Sequence, residues 1–173
     1  MDPLTTGMTC MKNMFRMGGI AALVMATTGL GGCVIADVEG VEAMYKPDVE
    51  YYSAPTVAGM DLPFSKAVRV GETIYLSGEL GIDPATNTFP PGGTGAQTTQ
   101  IFKNIEATLD EFDADLSDIV KCSVFLGDMQ NYGEMNAAYD AALPDPKPAR
   151  STFGAGGLAL GAELEIECLA IRP

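Results

Sequence analysis

The clearest hydrophobic pattern in the chain is a strand-like stretch close to its C-terminus, from residue 163 to residue 171, in which acidic and apolar residues alternate up to Cys168. Side chains of an extended strand point alternately to opposite faces, so this period of two predicts a β-strand with one acidic and one apolar face. The acidic face would carry Glu163, Glu165 and Glu167, and the apolar face Leu164, Ile166, Cys168 and Ala170.

Three further extended segments follow from the pattern. Residues 67–70 and 73–77 are short β-type runs separated by Gly71-Glu72, which predicts a hairpin with a two-residue turn. Residues 119–126 form a mostly apolar run of the kind that is buried in a sheet covered by helices.

Two segments show helical spacing. The first helix is predicted from about Thr94 to Phe112, with an apolar stripe that includes Ile101, Ile105 and Leu109. The second is predicted to begin near Asn131, because Glu134 follows at the spacing of a capping box.

The resulting order, ββ-α-β-α-β-β, predicts an α+β fold with a mixed sheet and two helices on one face. The other face of such a sheet must be polar or be covered by another subunit.

The first 33 residues have the pattern of an export signal. Lys12 and Arg16 precede a mostly apolar, uncharged run from Gly18 to Leu30, which is too short for a comfortable membrane span. The run ends in Leu30-Gly31-Gly32-Cys33, which resembles the lipobox of bacterial lipoproteins and implies cleavage before Cys33 and lipidation of its thiol. A plain signal peptide, or a helix with a chance cysteine, is the alternative.

This interpretation divides the chain into a signal peptide at 1–33, an acidic tether at 34–60 and a folded domain at 61–173. It predicts a protein anchored to the bacterial cell envelope on the periplasmic side by lipid alone, with valine after Cys33 weakly favouring the outer membrane.

The composition excludes several classes of function. The 173 residues carry a net charge of −13, which disfavours binding to nucleic acid in the absence of a basic patch. The chain has no histidine, so catalytic arrangements and metal sites that depend on histidine are excluded, and no metal site is predicted.

Four segments, in order and at the right spacing, resemble the RidA family, also called the YjgF or L-PSP family. They are Gly71–Gly78, Asp118–Leu126, Pro148–Thr152 and Glu165–Glu167, and the resemblance covers about residues 63–172.

The resemblance implies a chorismate-mutase-like fold and a homotrimer with a barrel-like core and sites in the clefts between subunits. It also implies hydrolysis of reactive enamines and imines, such as 2-aminoacrylate and 2-imino acids, to 2-keto acids and ammonia. No cofactor is implied, and the only small-molecule partner is the 2-imino or 2-keto carboxylate.

The resemblance also assigns roles to residues. Arg150 matches the arginine that holds the substrate carboxylate, where a guanidinium could bind bidentately. Glu165 matches the residue thought to position the attacking water. Ser77 and Gly78 match the S-G motif of the cleft, and Thr152 sits where a backbone group contacts substrate or water.

Two positions depart from the family pattern. Phe64 stands where many members have tyrosine, so a hydroxyl is missing there. Glu79 stands where glutamine is frequent, and its extra carboxylate would weaken binding of an anion unless it is protonated or turned away.

Alternatives to an enzyme stay open at this point. Arg150 could form a structural interface salt bridge with Glu165 or Glu167, and the trimer could be a non-catalytic carboxylate-binding or chaperone-like protein. The older endoribonuclease label of the family is disfavoured by the acidic composition and the absence of histidine.

The sheet order of the family would place the strands of Cys122 and Cys168 side by side, beneath the helices. Because directly cross-strand disulfides tend to be strained, we expect two buried reduced thiols, with a disulfide as the less favoured outcome.

Overall fold

The strands assemble into one seven-stranded mixed sheet in the computed structural model, which describes residues 47–53, 56 and 60–172. The strands are β1 (Val49–Tyr52), β2 (Ala67–Val70), β3 (Thr73–Leu76), β4 (Glu79–Leu80), β5 (Ile119–Leu126), β6 (Ala149–Gly154) and β7 (Leu164–Ile171). Their order in the sheet is β1-β2-β3-β7-β5-β6, and the short strand β4 also pairs with β7, next to β3. All neighbours are antiparallel except β5 and β6.

Two helices, α1 (Gly93–Asp110) and α2 (Tyr132–Ala142), cover one face of this sheet. The predicted α+β architecture is therefore confirmed, as are the hairpin of β2 and β3 and the strand at 119–126. Gly71 turns that hairpin with a φ of 59°, a left-handed conformation that glycine adopts without strain. Among the described residues, none lies in a helix that is long and apolar enough to cross a membrane.

The core lies between the helices and the sheet and follows the predicted alternation. Each apolar residue of β7 that was assigned to the inner face is buried, as are the stripe residues of α1. Burial of these side chains is the main favourable term in folding this layer. The inner residues include Ile74, Ile101, Ile105, Leu109, Val124, Leu126, Leu164, Ile166 and Ala170.

Strand β1 corrects the predicted tether. Val49–Tyr52, inside the segment 34–60, pairs in register with β2, and the Tyr52 ring packs edge-on against Phe112 at 6.4 Å between centroids. An aromatic side chain that reaches the core can order a short edge strand. The contact of Tyr52 with Phe112 could not be predicted from the alternation of polar and apolar residues. Residues 1–46, which include Cys33 and the predicted export signal, lie outside the described residues.

The predicted capping box of the second helix is wrong. Asn131 precedes α2 but makes no capping side-chain hydrogen bond, and Glu134 instead accepts a hydrogen bond from the backbone N–H of Gly95, at 2.9 Å. Gly92 leaves the first turn of α1 without a side-chain cap, so its free N–H groups need an acceptor from elsewhere. Glu134 supplies it and ties the two helices together.

The prediction of reduced thiols is also wrong. Cys122 on β5 and Cys168 on β7 are directly paired across the sheet, as expected, but their sulfur atoms are joined in a disulfide. Both cysteines lie in the core, at 0 % and 3 % exposure. The facing positions bring the two sulfur atoms into bonding range, and the bond links two central strands through cysteines that are 46 residues apart in sequence.

Candidate active site

The side chains predicted to form a site fall into two groups on opposite faces of the sheet. Glu165 and, by alternation from Tyr75, Ser77 belong to the open face, away from the helices, with Gly78 against Glu165. The side chains of Arg150 and Thr152 lie on the helix face, and Phe64 lies in the loop before β2. The face of each strand residue follows from its partner, because directly paired residues point to the same side.

The first group is built around Glu165. Its carboxylate lies directly against Gly78, so any side chain at position 78 would collide with it. Ser77 donates its hydroxyl proton to the backbone oxygen of Ser65, at 2.8 Å, and so fixes the loop before β2. The Phe64 ring on that loop is 52 % exposed. The group therefore offers a carboxylate that lies close against the backbone at Gly78.

The electrostatic environment of Glu165 suits proton transfer. Burial raises the pKa of its carboxyl group, and the neighbouring carboxylate of Glu167 raises this pKa further. A carboxylate with a raised pKa is a better base toward water than an ordinary surface glutamate.

Glu163 does not join this acidic face, contrary to the sequence prediction. It precedes β7, and its carboxylate accepts a hydrogen bond from the buried hydroxyl of Thr94 at the start of α1. The N-terminal end of a helix attracts a carboxylate, which explains why this glutamate turns toward α1. Only Glu165 and Glu167 therefore remain on the open face of the strand.

Glu79, the unexpected carboxylate, is turned away from the open face and neutralised. It forms an ion pair with Lys66 at 3.2 Å and accepts a hydrogen bond from Asn104 of α1 at 3.0 Å. Burial raises the pKa of Glu79, whereas Lys66 and Asn104 act in the opposite direction. Because the carboxylate of Glu79 is paired with a cation on the inner side of the sheet, it repels an anionic ligand on the outer side far less than an unpaired carboxylate would.

Arg150 in β6 is the centre of the second group. Its Nη2 atom donates to the hydroxyl of Tyr132 at 2.9 Å and to the side-chain oxygen of Asn136 at 2.7 Å. The guanidinium also stacks over the ring of Tyr139, 4.5 Å from the centroid. All three partners lie on α2 and all are uncharged, so they orient the cation without neutralising it.

No carboxylate in the described part of the chain lies within salt-bridge distance of Arg150. The structural salt bridge with Glu165 or Glu167 therefore does not form within one chain. An oriented guanidinium without a counter-charge is a suitable receptor for a small carboxylate.

Thr152 lies two residues beyond Arg150 on the same face. Its hydroxyl oxygen is buried and has no hydrogen-bond partner among the described residues. It pairs in register with Val124 of β5, which belongs to the core. A buried hydroxyl without a partner is rare in proteins, and this one lies in the predicted site.

The two groups are too far apart to act together within one chain. Strand β5 lies between β6 and β7, which places these two strands two spacings apart, roughly 9.6 Å. Arg150 is in register with Cys122 and Cys168, so Glu165 is also displaced by three residues along β7 and lies on the opposite face. A substrate that contacts both residues would have to lie between two copies of the chain.

Sequence reasoning missed the three residues of α2 that hold the guanidinium. Tyr132, Asn136 and Tyr139 are spaced i, i+4 and i+7, which places them on one face of a helix. That spacing was a usable signal, but only the parallel pairing of β6 beside β5 shows that this face meets Arg150.

The open face of the sheet exposes unusual amounts of apolar surface. Tyr75 is 51 % and Phe153 54 % exposed, and the rings of Phe125 and Phe153 stack at 6.2 Å. Exposed apolar patches of this kind mark interaction surfaces in soluble proteins. A shallow pocket of about 210 Å³ opens on the same face and is lined by Tyr75, Leu76, Lys121, Ser123, Glu167, Cys168 and Leu169.

Comparison with known proteins agrees with the fold. Residues 53–172 match the family model described as "Endoribonuclease L-PSP". The mouse protein named 2-iminobutanoate/2-iminopropanoate deaminase is 35 % identical over 119 residues, which cover 69 % of this chain and 86 % of that protein. The Arabidopsis protein named Reactive Intermediate Deaminase A, chloroplastic, is 37 % identical over 125 residues, covering 72 % of this chain and 65 % of that protein.

Solved structures give the same result. The crystal structure of RidA from an Antarctic Psychrobacter bacterium superimposes with a TM-score of 0.65 and 34 % identity, covering 70 % of this chain and 98 % of that one. The E. coli YjgF structure superimposes with a TM-score of 0.64 and 27 % identity, covering 72 % and 99 %. The chain therefore belongs to the RidA family, the family of the endoribonuclease L-PSP model.

Proposed function

We propose that the protein is a hydrolytic deaminase that converts reactive 2-imino acids and their enamine forms to 2-keto acids and ammonia. The observation that carries this proposal is the guanidinium of Arg150, held by Tyr132, Asn136 and Tyr139 with no carboxylate beside it in the described residues. The names of the mouse and Arabidopsis relatives support the same activity.

The chemistry needs only groups that the chain possesses. Arg150 holds the carboxylate of the 2-imino acid, and Glu165 accepts a proton from water as the water oxygen bonds to the iminium carbon. The resulting carbinolamine takes a proton on nitrogen, the carbon–nitrogen bond breaks, and the oxygen loses its proton as the 2-keto acid forms. One water is consumed and one ammonia is released.

The activity is tested directly with purified protein and a 2-imino acid generated in the cuvette by an amino-acid oxidase. Semicarbazide traps the unreacted imine, so an active deaminase lowers semicarbazone formation in proportion to its concentration. A wild-type protein that does not compete with the trap would contradict the proposal and favour the non-catalytic carboxylate-binding alternative.

The site requires a second copy of the chain, and we infer the homotrimer of the family. The aromatic rings of the open face support this, because the exposed Tyr75 and Phe153 and the half-buried Phe125 would be covered by a neighbour. A neighbour on that face could bring its Arg150 to the Glu165 of the first copy. The closed symmetry of a trimer would then give three equivalent sites.

Mixing two inactive variants tests this arrangement. Arg150→Ala and Glu165→Gln each remove one half of every site, but mixed trimers contain clefts in which both halves are intact. Random assembly of equal amounts gives an intact pair in one cleft of four, so about a quarter of wild-type activity is expected after co-refolding. A monomeric mass by light scattering, or no recovery of activity in verified mixed trimers, would contradict a shared site.

We further propose that the protein is exported and attached to the cell envelope by lipid on Cys33. The disulfide between Cys122 and Cys168 supports export, because such bonds persist in oxidising compartments and are rare in the cytosol. The basic and apolar stretches before Cys33 support the lipoprotein signal.

Cys33→Ser is expected to move the protein from the membrane fraction to the soluble fraction and to abolish labelling by a radioactive fatty acid. The physical reason is that acyl chains provide the only membrane affinity that we propose for the chain. Cys10→Ser, which changes a cysteine before the lipobox, serves as the control. Continued membrane association and labelling of Cys33→Ser would refute lipidation at this residue.

A further inference from the structure

Arg150 offers no complete two-pronged fork to a ligand. A carboxylate can bind a guanidinium through two adjacent N–H groups, and both such forks include one hydrogen of Nη2. In Arg150 the two hydrogens of Nη2 are used by Tyr132 and Asn136. The bidentate contact expected from the sequence would therefore require one of these helix residues to give way.

The hydroxyl of Tyr132 provides another second contact. Its oxygen accepts a proton from Nη2, and its own proton has no acceptor among the described residues. Tyr132 is 39 % exposed, so this proton is accessible to a ligand. The ring of Tyr139 covers one face of the guanidinium, which leaves in-plane approach toward Nη1 and the Tyr132 hydroxyl.

We propose that Tyr132 is a substrate-binding residue: its hydroxyl and Nη1 of Arg150 together hold the carboxylate of the 2-imino acid. The inference rests on the proposed function and adds a residue to its site. Arg150 provides the charge, and Tyr132 provides a neutral donor next to it.

The proposal also accounts for the missing hydroxyl at Phe64. Many family members carry tyrosine there, whereas this chain has an exposed phenyl ring. The chain has a phenol at position 132 instead, on the Arg150 side of the proposed site. A hydroxyl donor is thus retained, but next to the carboxylate anchor.

Tyr132→Phe tests the role, because it removes one oxygen and keeps the ring. Binding of pyruvate, a product-like 2-keto acid, is measured by isothermal titration or NMR and is expected to weaken about 10-fold, as for loss of a hydrogen bond to a charged group. In steady-state assays KM should rise by a similar factor while kcat changes less than about 2-fold. Tyr51→Phe, on the outer strand β1 and 70 % exposed, is the control and should behave as wild type.

A second pair of variants separates direct contact from mere positioning of Arg150. If Tyr132 touches the ligand, Tyr132→Phe weakens pyruvate binding further in an Arg150→Ala background. If it acts only through the arginine, the second substitution has no further effect, and the proposal fails. Tighter binding by Tyr132→Phe would also overturn it, because the hydroxyl would then compete with the ligand for Nη2.

Failure of this inference is distinguishable from failure of the proposed function. Pyruvate binding that depends on Tyr132, without imine hydrolysis by the wild type, would retain the anchor and reject the deaminase. Imine hydrolysis by the wild type, together with unchanged pyruvate binding in Tyr132→Phe, would retain the deaminase and reject the role of Tyr132. A wild-type protein that binds no pyruvate would reject the anchor.

Discussion

Arg150→Ala is expected to lower kcat/KM for a 2-imino acid by about 10²- to 10³-fold, the cost of removing one partner of a sequestered charge pair. The substrate carboxylate would lose its cationic partner, the Arg150 guanidinium, which forms no ion pair among the described residues. Arg150→Lys should recover only part of the loss, because an ammonium cannot occupy the planar position between Tyr132, Asn136 and the Tyr139 ring.

Folding of the Arg150→Ala variant is expected to be nearly normal. Arg150 is only half-buried, and the hydroxyl of Tyr132 can bond to water when the guanidinium is absent. Arg69→Ala is the matched control, because Arg69 donates to the backbone of Gly71 in the β2–β3 hairpin and belongs to neither half of the site. Equal losses of activity in the two variants, or a lowered melting temperature in Arg150→Ala alone, would show that the effect is not specific to the site.

The local elements were predictable because each has its own periodic signal. The first half of β7 alternates between apolar and acidic residues, and α1 carries Ile101, Ile105 and Leu109 on one stripe, so burial could be assigned from the sequence. The β2–β3 hairpin was predictable because Gly71 allows the turn. In each of these cases the information lies within about twenty consecutive residues.

The face of Arg150 was not predictable from its own strand. Strand β6 reads A-R-S-T-F-G and has no apolar alternation, so nothing in it shows which side chains point to the helices. The face of Arg150 follows from the register with β5, because Arg150 pairs with Cys122, which lies in the core. The idea that Arg150 and the acidic face form one site therefore needed a second copy of the chain.

Contacts of charged side chains with residues distant in sequence were also not predictable from the hydrophobic pattern. Glu134 was assigned to its own helix but caps α1 through Gly95, and Glu79 was considered without its partner Lys66. Each pairing depends on how elements pack, and a single sequence does not record it. The disulfide differs, since the neighbouring positions of Cys122 and Cys168 were predicted and only the bond was judged unfavourable.

Removing that disulfide is expected to cost roughly 2–4 kcal/mol of the free energy of unfolding. The two cysteines are 46 residues apart, and the bond restricts the unfolded loop that contains α2 and β6. The chain-entropy estimate for such a loop is about 4 kcal/mol, and relaxation of the reduced protein lowers the observed value. The expected loss is a large fraction of the stability of a typical domain.

The measurement is urea unfolding of Cys122→Ala/Cys168→Ala and of wild type, with and without reductant, at one fixed protomer concentration because assembly contributes to apparent stability. Reductant should lower the wild-type midpoint toward that of the double variant and leave the double variant unchanged. Alkylation of unreduced, denatured wild type should leave both cysteines unlabelled. Full labelling, or a double variant as stable as wild type, would show that the bond does not stabilise this sheet, and the support that it gives to export would be lost with it.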